Sequence, residues 1–230
     1  EGAVFEARDL SAYSVGPKKA KGILVEDGGK AKITNGYIET TGGVNSHAID
    51  VWGEGSEFIS DGVDVSTTAY VLSVGEGAKA TVKNGNFNVR SVTLADGWDT
   101  SAGIAVGGET KAAAELFAEN IKLTNSVPLT DSLPNYTSYA LRVGAPFSPD
   151  VAIALDSKLT LKQSEVIASG KQRRVAKIER SSLLDLRDSL LISQEDAGIV
   201  LADNASLSMT NSTLEVAEES LRSTFKEFGS

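Results

Sequence analysis

Val71-Leu72-Ser73-Val74-Gly75-Glu76-Gly77-Ala78-Lys79-Ala80-Thr81-Val82-Lys83-Asn84-Gly85 decides how the rest of the chain is read. It opens on an apolar-x-apolar pair, Leu72 and Val74, with the period of two expected of a short strand that buries one face. A Gly-rich turn follows, then a second alternating run that ends at Val82, then the turn signal Asn84-Gly85. The stretch is strand, turn, strand, turn.

The same pair recurs on both sides as Ile23/Val25, Ile49/Val51, Ile104/Val106, Leu141/Val143 and Ile199/Leu201, most copies preceded by Gly or Ala. A weaker copy is read at Ile178, where Arg180 takes the second apolar place and marks a defect in register. The second element returns as Ile33-Thr34-Asn35-Gly36, Ile59-Ser60-Asp61-Gly62 and Met209-Thr210-Asn211-Ser212. Leu161-Lys162-Gln163-Ser164 and Leu186-Arg187-Asp188-Ser189 occupy that slot too, with a degenerate copy at Asn120. New apolar runs then begin near Ile38, Phe87, Val166, Leu191 and Leu214.

The turn residues 35, 61, 84, 120, 163, 188 and 211 are spaced by 26, 23, 36, 43, 25 and 23. A repeat of this length is the mark of a solenoid, and the two long spacings read as one unit carrying an insertion. A leucine-rich repeat needs Leu-x-x-Leu-x-Leu and a helix in each unit, and neither is present. The expected fold is therefore all-β, a parallel β-helix solenoid of about seven coils over residues 1–216. Insertions fall near residues 90–101 and 125–150. The composition agrees: aromatics are 6%, and 22 glycines separate short runs of small and β-branched residues.

In such a solenoid Asn35, Asp61, Asn84, Asn120, Asp188 and Asn211 form a structural turn ladder. Their side chains satisfy nearby backbone groups and tolerate the left-handed conformation. Residues 217–230 break the pattern, with Leu221, Phe225 and Phe228 at helical spacing and Glu218 and Glu219 early. A short C-terminal amphipathic helix that caps the open end is expected there.

The coils at residues 22–36 and 71–85 resemble those of the pectin-lyase-like right-handed parallel β-helix superfamily, and within it the passenger domains of pertactin-type bacterial autotransporters. The resemblance covers residues 1–216. It implies a bacterial cell-surface or secreted segment, associated with the outer membrane, which acts as an adhesin or host-factor-binding scaffold. Cysteine is absent, which suits a passenger that crosses an outer-membrane pore unfolded. The resemblance also implies that this segment belongs to a longer passenger. The superfamily includes polysaccharide lyases and hydrolases as well, so a polysaccharide-acting enzyme and a structural stalk without its own ligand stand as alternatives.

Charge and residue inventory narrow the chemistry. A net charge of -9 is unsuited to nucleic acid or anionic membrane. The basic run Lys171-Gln172-Arg173-Arg174 reads as a solvated turn. No apolar stretch approaches the ~20 residues that span a bilayer, and no signal peptide opens the sequence. With no cysteine and one histidine, thiol and most histidine chemistry is excluded, and His47 is expected on the surface at a turn.

Alternation places Leu24, Asp50, Ser73, Ala105, Arg142, Glu179 and Val200 on one outward column, which assembles no group of carboxylates. Arg142 and Glu179 read there as a cross-strand ion pair. No catalytic residue, metal or cofactor is therefore expected. Binding is expected in the inserted loops, through Asp96, Trp98, Asp99, Tyr136 and Phe147, with a host protein or glycan as partner.

Overall fold

A computed structural model describes residues 2–17, 19–42, 46–90, 103–108, 112–125, 138–144, 156–170, 173–194, 198–217 and 221–224. The strands follow in chain order as β1 (Val4–Gly16), β2 (Lys21–Val25), β3 (Lys30–Gly42), β4 (His47–Trp52) and β5 (Glu57–Thr67). Next come β6 (Tyr70–Gly75), β7 (Lys79–Lys83), β8 (Asn86–Val89), β9 (Ile104–Val106), β10 (Glu115–Glu119) and β11 (Lys122–Asn125). Then follow β12 (Ser138–Val143), β13 (Lys158–Lys162), β14 (Glu165–Ala168), β15 (Arg173–Ile178), β16 (Leu183–Arg187) and β17 (Leu190–Ser193). The last are β18 (Ile199–Ala202), β19 (Ser206–Thr210), β20 (Thr213–Val216) and β21 (Leu221–Thr224).

These strands form two parallel sheets, and the chain passes repeatedly from one to the other. The eight-stranded sheet stacks in the order β2-β4-β6-β9-β12-β15-β18-β21. The other has 13 strands: β1, β3 and β5 run unbroken through a corner, and from β7 onward each passage is split there into two short strands. Every strand pairing among the described residues is parallel, which gives a solenoid-like all-β architecture.

The core forms because the repeated apolar pairs stack on one another. Ile23, Ile49, Leu72, Ile104, Leu141, Ala176 and Ile199 lie level on successive strands. All except Ile23 belong to one fully buried cluster. Burying each Leu, Ile or Val there contributes about 1.5–3 kcal/mol.

The corner in the larger sheet holds a left-handed residue in each passage, Asp9, Asn35, Gly62, Asn84, Asn120, Gln163, Asp188 and Asn211, and in β3 Gly36 (φ 152°) follows with positive φ as well. A single left-handed residue bends the strand, and Asn, Asp and Gly accept that conformation at least cost. Asp61 pairs level with Lys83, one position before the corner, and Gly62 (φ 71°) takes the left-handed place. Several of these polar side chains are hydrogen-bonded from one passage to the next. Asn35 Nδ2 donates to Asp9 Oδ1 (3.3 Å), Asn84 to Asp61 (2.6 Å), Asn120 to Asn84 (2.7 Å) and Asn211 to Asp188 (3.3 Å).

Two further expectations fail. Residues 221–224 form β21, parallel to β18, in the region expected to be helical. A short isolated helix is marginal in water, and the row of backbone groups along β18 offers hydrogen bonds that a strand can take. The rest of residues 218–230 lies outside the described residues, and no helix occurs among the described residues. Nor does Arg180 mark a register defect. Ala176 is level with Leu141 and Ile178 with Val143, so these two are the apolar pair, and Arg180 sits in the following turn at φ 58°.

Candidate functional site

The outward faces of the two sheets differ. On the larger sheet the outward side chains form exposed or half-exposed cross-strand ion pairs. Examples are Lys30–Glu57 (3.3 Å), Lys79–Glu115 (3.5 Å), Lys83–Glu119 (2.9 Å), Lys162–Glu119 (2.7 Å) and Lys122–Glu165 (3.0 Å). Glu119, between two lysines, is pushed down to about 2 by its hydrogen bonds to Lys162 and Lys83. Salt-bridged columns of this kind keep a sheet face soluble and in register.

On the smaller sheet Leu24 at the start of the outward column is exposed and Lys177 half-buried, but the middle of the column is buried. Asp50 is 3% exposed, Ser73 and Ala105 0%, and Arg142 8%. His47 is the first residue of β4, is buried, and stacks on Tyr70 at 4.7 Å between ring centroids. This corrects its expected surface position: β4 hydrogen-bonds to strands on both sides and brings the imidazole against the ring of the next strand. His47 Nδ1 lies 3.5 Å from Asp50 Oδ1, and Lys21 forms an ion pair with the same carboxylate. Burial pushes His47 down to about 4, against the attraction of Asp50, and pushes Tyr70 up to about 12.

Further along the face Arg142 and Glu179 are paired at 3.1 Å, and Lys177 reaches the same carboxylate at 2.7 Å. The expected pair is present in a different register: Lys177 lies directly opposite Arg142, and Glu179 is diagonal to it. Burial alone would raise the Glu179 carboxyl, but Arg142 and Lys177 together hold it below the ordinary range. The face thus carries the ion pair Lys21–Asp50, the stacked His47 and Tyr70, and a cluster in which Arg142 and Lys177 share the carboxylate of Glu179. Among the described residues no group of three or more His, Cys, Asp or Glu is placed to hold a metal.

The candidate binding residues Asp96, Trp98, Asp99, Tyr136 and Phe147 lie outside the described residues. The strands do locate the ends of the segments that carry them. One segment joins Val89 of β8 to Ile104 of β9, another joins Asn125 of β11 to Ser138 of β12, and a third joins Val143 of β12 to Lys158 of β13. β9 and β12 are parallel, hydrogen-bonded neighbours, so the first two segments enter adjacent strands at the same end, while the third leaves β12 at its opposite end. Of the basic run, Arg173 and Arg174 open β15, and Lys171 and Gln172 lie outside the described residues.

A set of serines escaped the sequence reading. Ser164, Ser189 and Ser212 each follow a corner residue, where strand pairing is interrupted. Ser164 Oγ accepts from Ile121 N–H (3.2 Å), Ser189 Oγ from Ser164 N–H (3.2 Å) and Ser212 Oγ from Ser189 N–H (3.1 Å). Ser157 and Ser182 repeat the device at another corner, toward Ala114 and Ser157 N–H. The signal was the Ser after Gln163, Asp188 and Asn211, hidden because serine is also the commonest kind of turn filler.

Compared with known protein families, curated proteins and solved structures, the chain gives no match.

Proposed function

We propose that the chain is a segment of a right-handed parallel β-helix of about seven coils, a pertactin-type passenger segment at the bacterial cell surface or secreted from it. In this reading it is a non-enzymatic adhesin or host-factor-binding scaffold for a host protein or glycan. The observation that carries the reading is that two inserted segments enter the adjacent parallel strands β9 and β12 at the same end. A stiff parallel scaffold that spaces inserted loops at one place is a common basis for recognition. Residues Asp96, Trp98, Asp99, Tyr136 and Phe147 supply carboxylates and aromatics suited to such contact.

The test is binding of the purified chain to cultured epithelial cells, to extracellular-matrix proteins and to a glycan array. A variant with residues 92–100 replaced by a short Gly/Ser turn is run beside it. Binding that disappears with the loop supports the reading and locates the site. Equal binding by both, or none by either, sinks it, and the latter favours a stalk without its own ligand.

The polysaccharide lyase or hydrolase reading is favoured by one observation, the buried set of Asp50, His47, Tyr70, Arg142 and Glu179 on a single face. Release of reducing ends or unsaturated sugars from a polysaccharide panel, abolished by Asp50→Asn, is its expected outcome.

A further inference from the structure

An open groove of about 730 Å³ follows the corner of the larger sheet, a volume in the range of ligand sites. One wall is the column of corner side chains Asn84, Asn120, Gln163, Asp188 and Asn211, from five successive passages. The other is the first outward column beyond the corner, where Lys122, Glu165 and Leu190 lie level on β11, β14 and β17. The groove therefore runs along the stack.

The middle of the corner column is chemically different from the rest. Asn84 donates to Asp61, Asn120 to Asn84 and Asn211 to Asp188, so in each step the later residue donates to the earlier. Among the described residues no side-chain hydrogen bond joins Asn120, Gln163 and Asp188. The backbone is not the cause, since the three have φ of 53°, 50° and 51°. The side chains are: an Asp188 carboxylate has no proton to donate to Gln163, and the Gln163 amide stands one methylene farther from the backbone than an Asn amide. An acceptor on Asn120, a donor and an acceptor on Gln163 and an acceptor on Asp188 are left facing solvent, one strand spacing of ~4.8 Å apart. All three passages have hydrogen-bonded strands on both sides, so the opening owes nothing to either end of the chain.

We propose that this groove binds an extended, uncharged glycan laid along the stack, one sugar to each passage. A hydroxyl both donates and accepts, as the open groups of Asn120, Gln163 and Asp188 require, and a β-linked hexose is about as long as one strand spacing of ~4.8 Å. Half-buried Leu190 offers an apolar surface to the C–H face of a ring. Charge selects against acidic glycans: Lys122 is the one cation among the lining residues, it is paired with Glu165 at 3.0 Å, and Asp188 and Glu215 add negative charge. An extended peptide would need a free strand edge, and the interior strands here are paired on both sides. The site is independent of the inserted segments at β9 and β12, which belong to the other sheet.

Isothermal titration calorimetry of the purified chain with cellohexaose, xylohexaose and chitohexaose tests this, with hexagalacturonate as the charged control. At least one neutral oligosaccharide is expected to bind, more tightly as it lengthens to roughly one sugar per passage of the groove, and the galacturonate is not. Gln163→Asn brings the amide within reach of Asn120, closes the gap in the ladder and is expected to weaken binding on the order of tenfold. Leu190→Ser removes the apolar surface and is expected to weaken it as well. Far-UV circular dichroism is expected to be the same for both variants and the parent, since Gln163 is exposed and Leu190 only half-buried. Replacing residues 92–100 by a short Gly/Ser turn is expected to leave binding of these sugars unchanged, which separates this site from loop-borne recognition. No binding of any neutral oligosaccharide at millimolar concentration, equal binding of hexagalacturonate, binding indifferent to both variants, or binding lost with residues 92–100 would each overturn the proposal.

Discussion

Neutral imidazole is the form that the surroundings of His47 select. Burial against Tyr70 disfavours the charged ring more than Asp50 favours it, and Lys21 opposes the proton as well. With a folded value near 4 and an unfolded value near 6.5, the ring is neutral in both states above pH 6.5 and contributes no pH dependence there. As pH falls from 6.5 toward 4, the unfolded chain takes up a proton that the folded chain does not. Stability therefore falls over that window, by about 3 kcal/mol in total. Urea unfolding midpoints at pH 7 and pH 5 measure the effect, and the difference between them is expected to shrink in His47→Gln. An unchanged difference would show that the imidazole is not desolvated.

At the scale of the element, the corners hold the strands in register. A left-handed residue turns the chain but interrupts the pairing of the amide that follows it. The serine hydroxyl of the next strand supplies the missing acceptor while donating to a carbonyl of its own turn, as Ser189 Oγ does to Arg187 O (2.8 Å). Ser189→Ala leaves the buried Ser164 N–H without that acceptor and is expected to cost about 1–3 kcal/mol in chemical denaturation. Ser212→Ala, at a more exposed corner, is expected to cost less, because water replaces the hydroxyl there. Equal losses at both positions would mean that burial does not set the worth of this hydrogen bond.

For the whole molecule, stability is distributed along the stack. Each interior strand is hydrogen-bonded above and below, and the residues of β4, β6, β9 and β12 are buried almost throughout. β1, β19 and β20 are exposed or half-buried along their length. In a solenoid each unit is stabilised by its neighbours, so the ends open more easily than the middle. Amide hydrogen exchange is expected to be slowest in β4, β6 and β12 and to quicken toward β19 and β20. Uniform protection along the chain would indicate a single cooperative unit instead.

What could be read from residues alone is what is local. The apolar pairs Ile49/Val51 and Leu72/Val74 set strands, and Asn35, Asn84, Asn120 and Asn211 set corners, because alternation and tolerance of positive φ are properties of short segments. Where two adjacent residues could both turn the chain, as in Asp61-Gly62, the pattern was ambiguous and pairing with Lys83 chose Gly62. Only tertiary structure decided the rest. It buried His47 and the Asp50–Arg142 face, aligned Ala176 and not Ile178 with Leu141, and drew residues 221–224 into a strand. Each of these depends on a partner distant in sequence, whose presence alternation and spacing do not encode: a covering surface, a neighbouring strand, an edge with unsatisfied backbone groups.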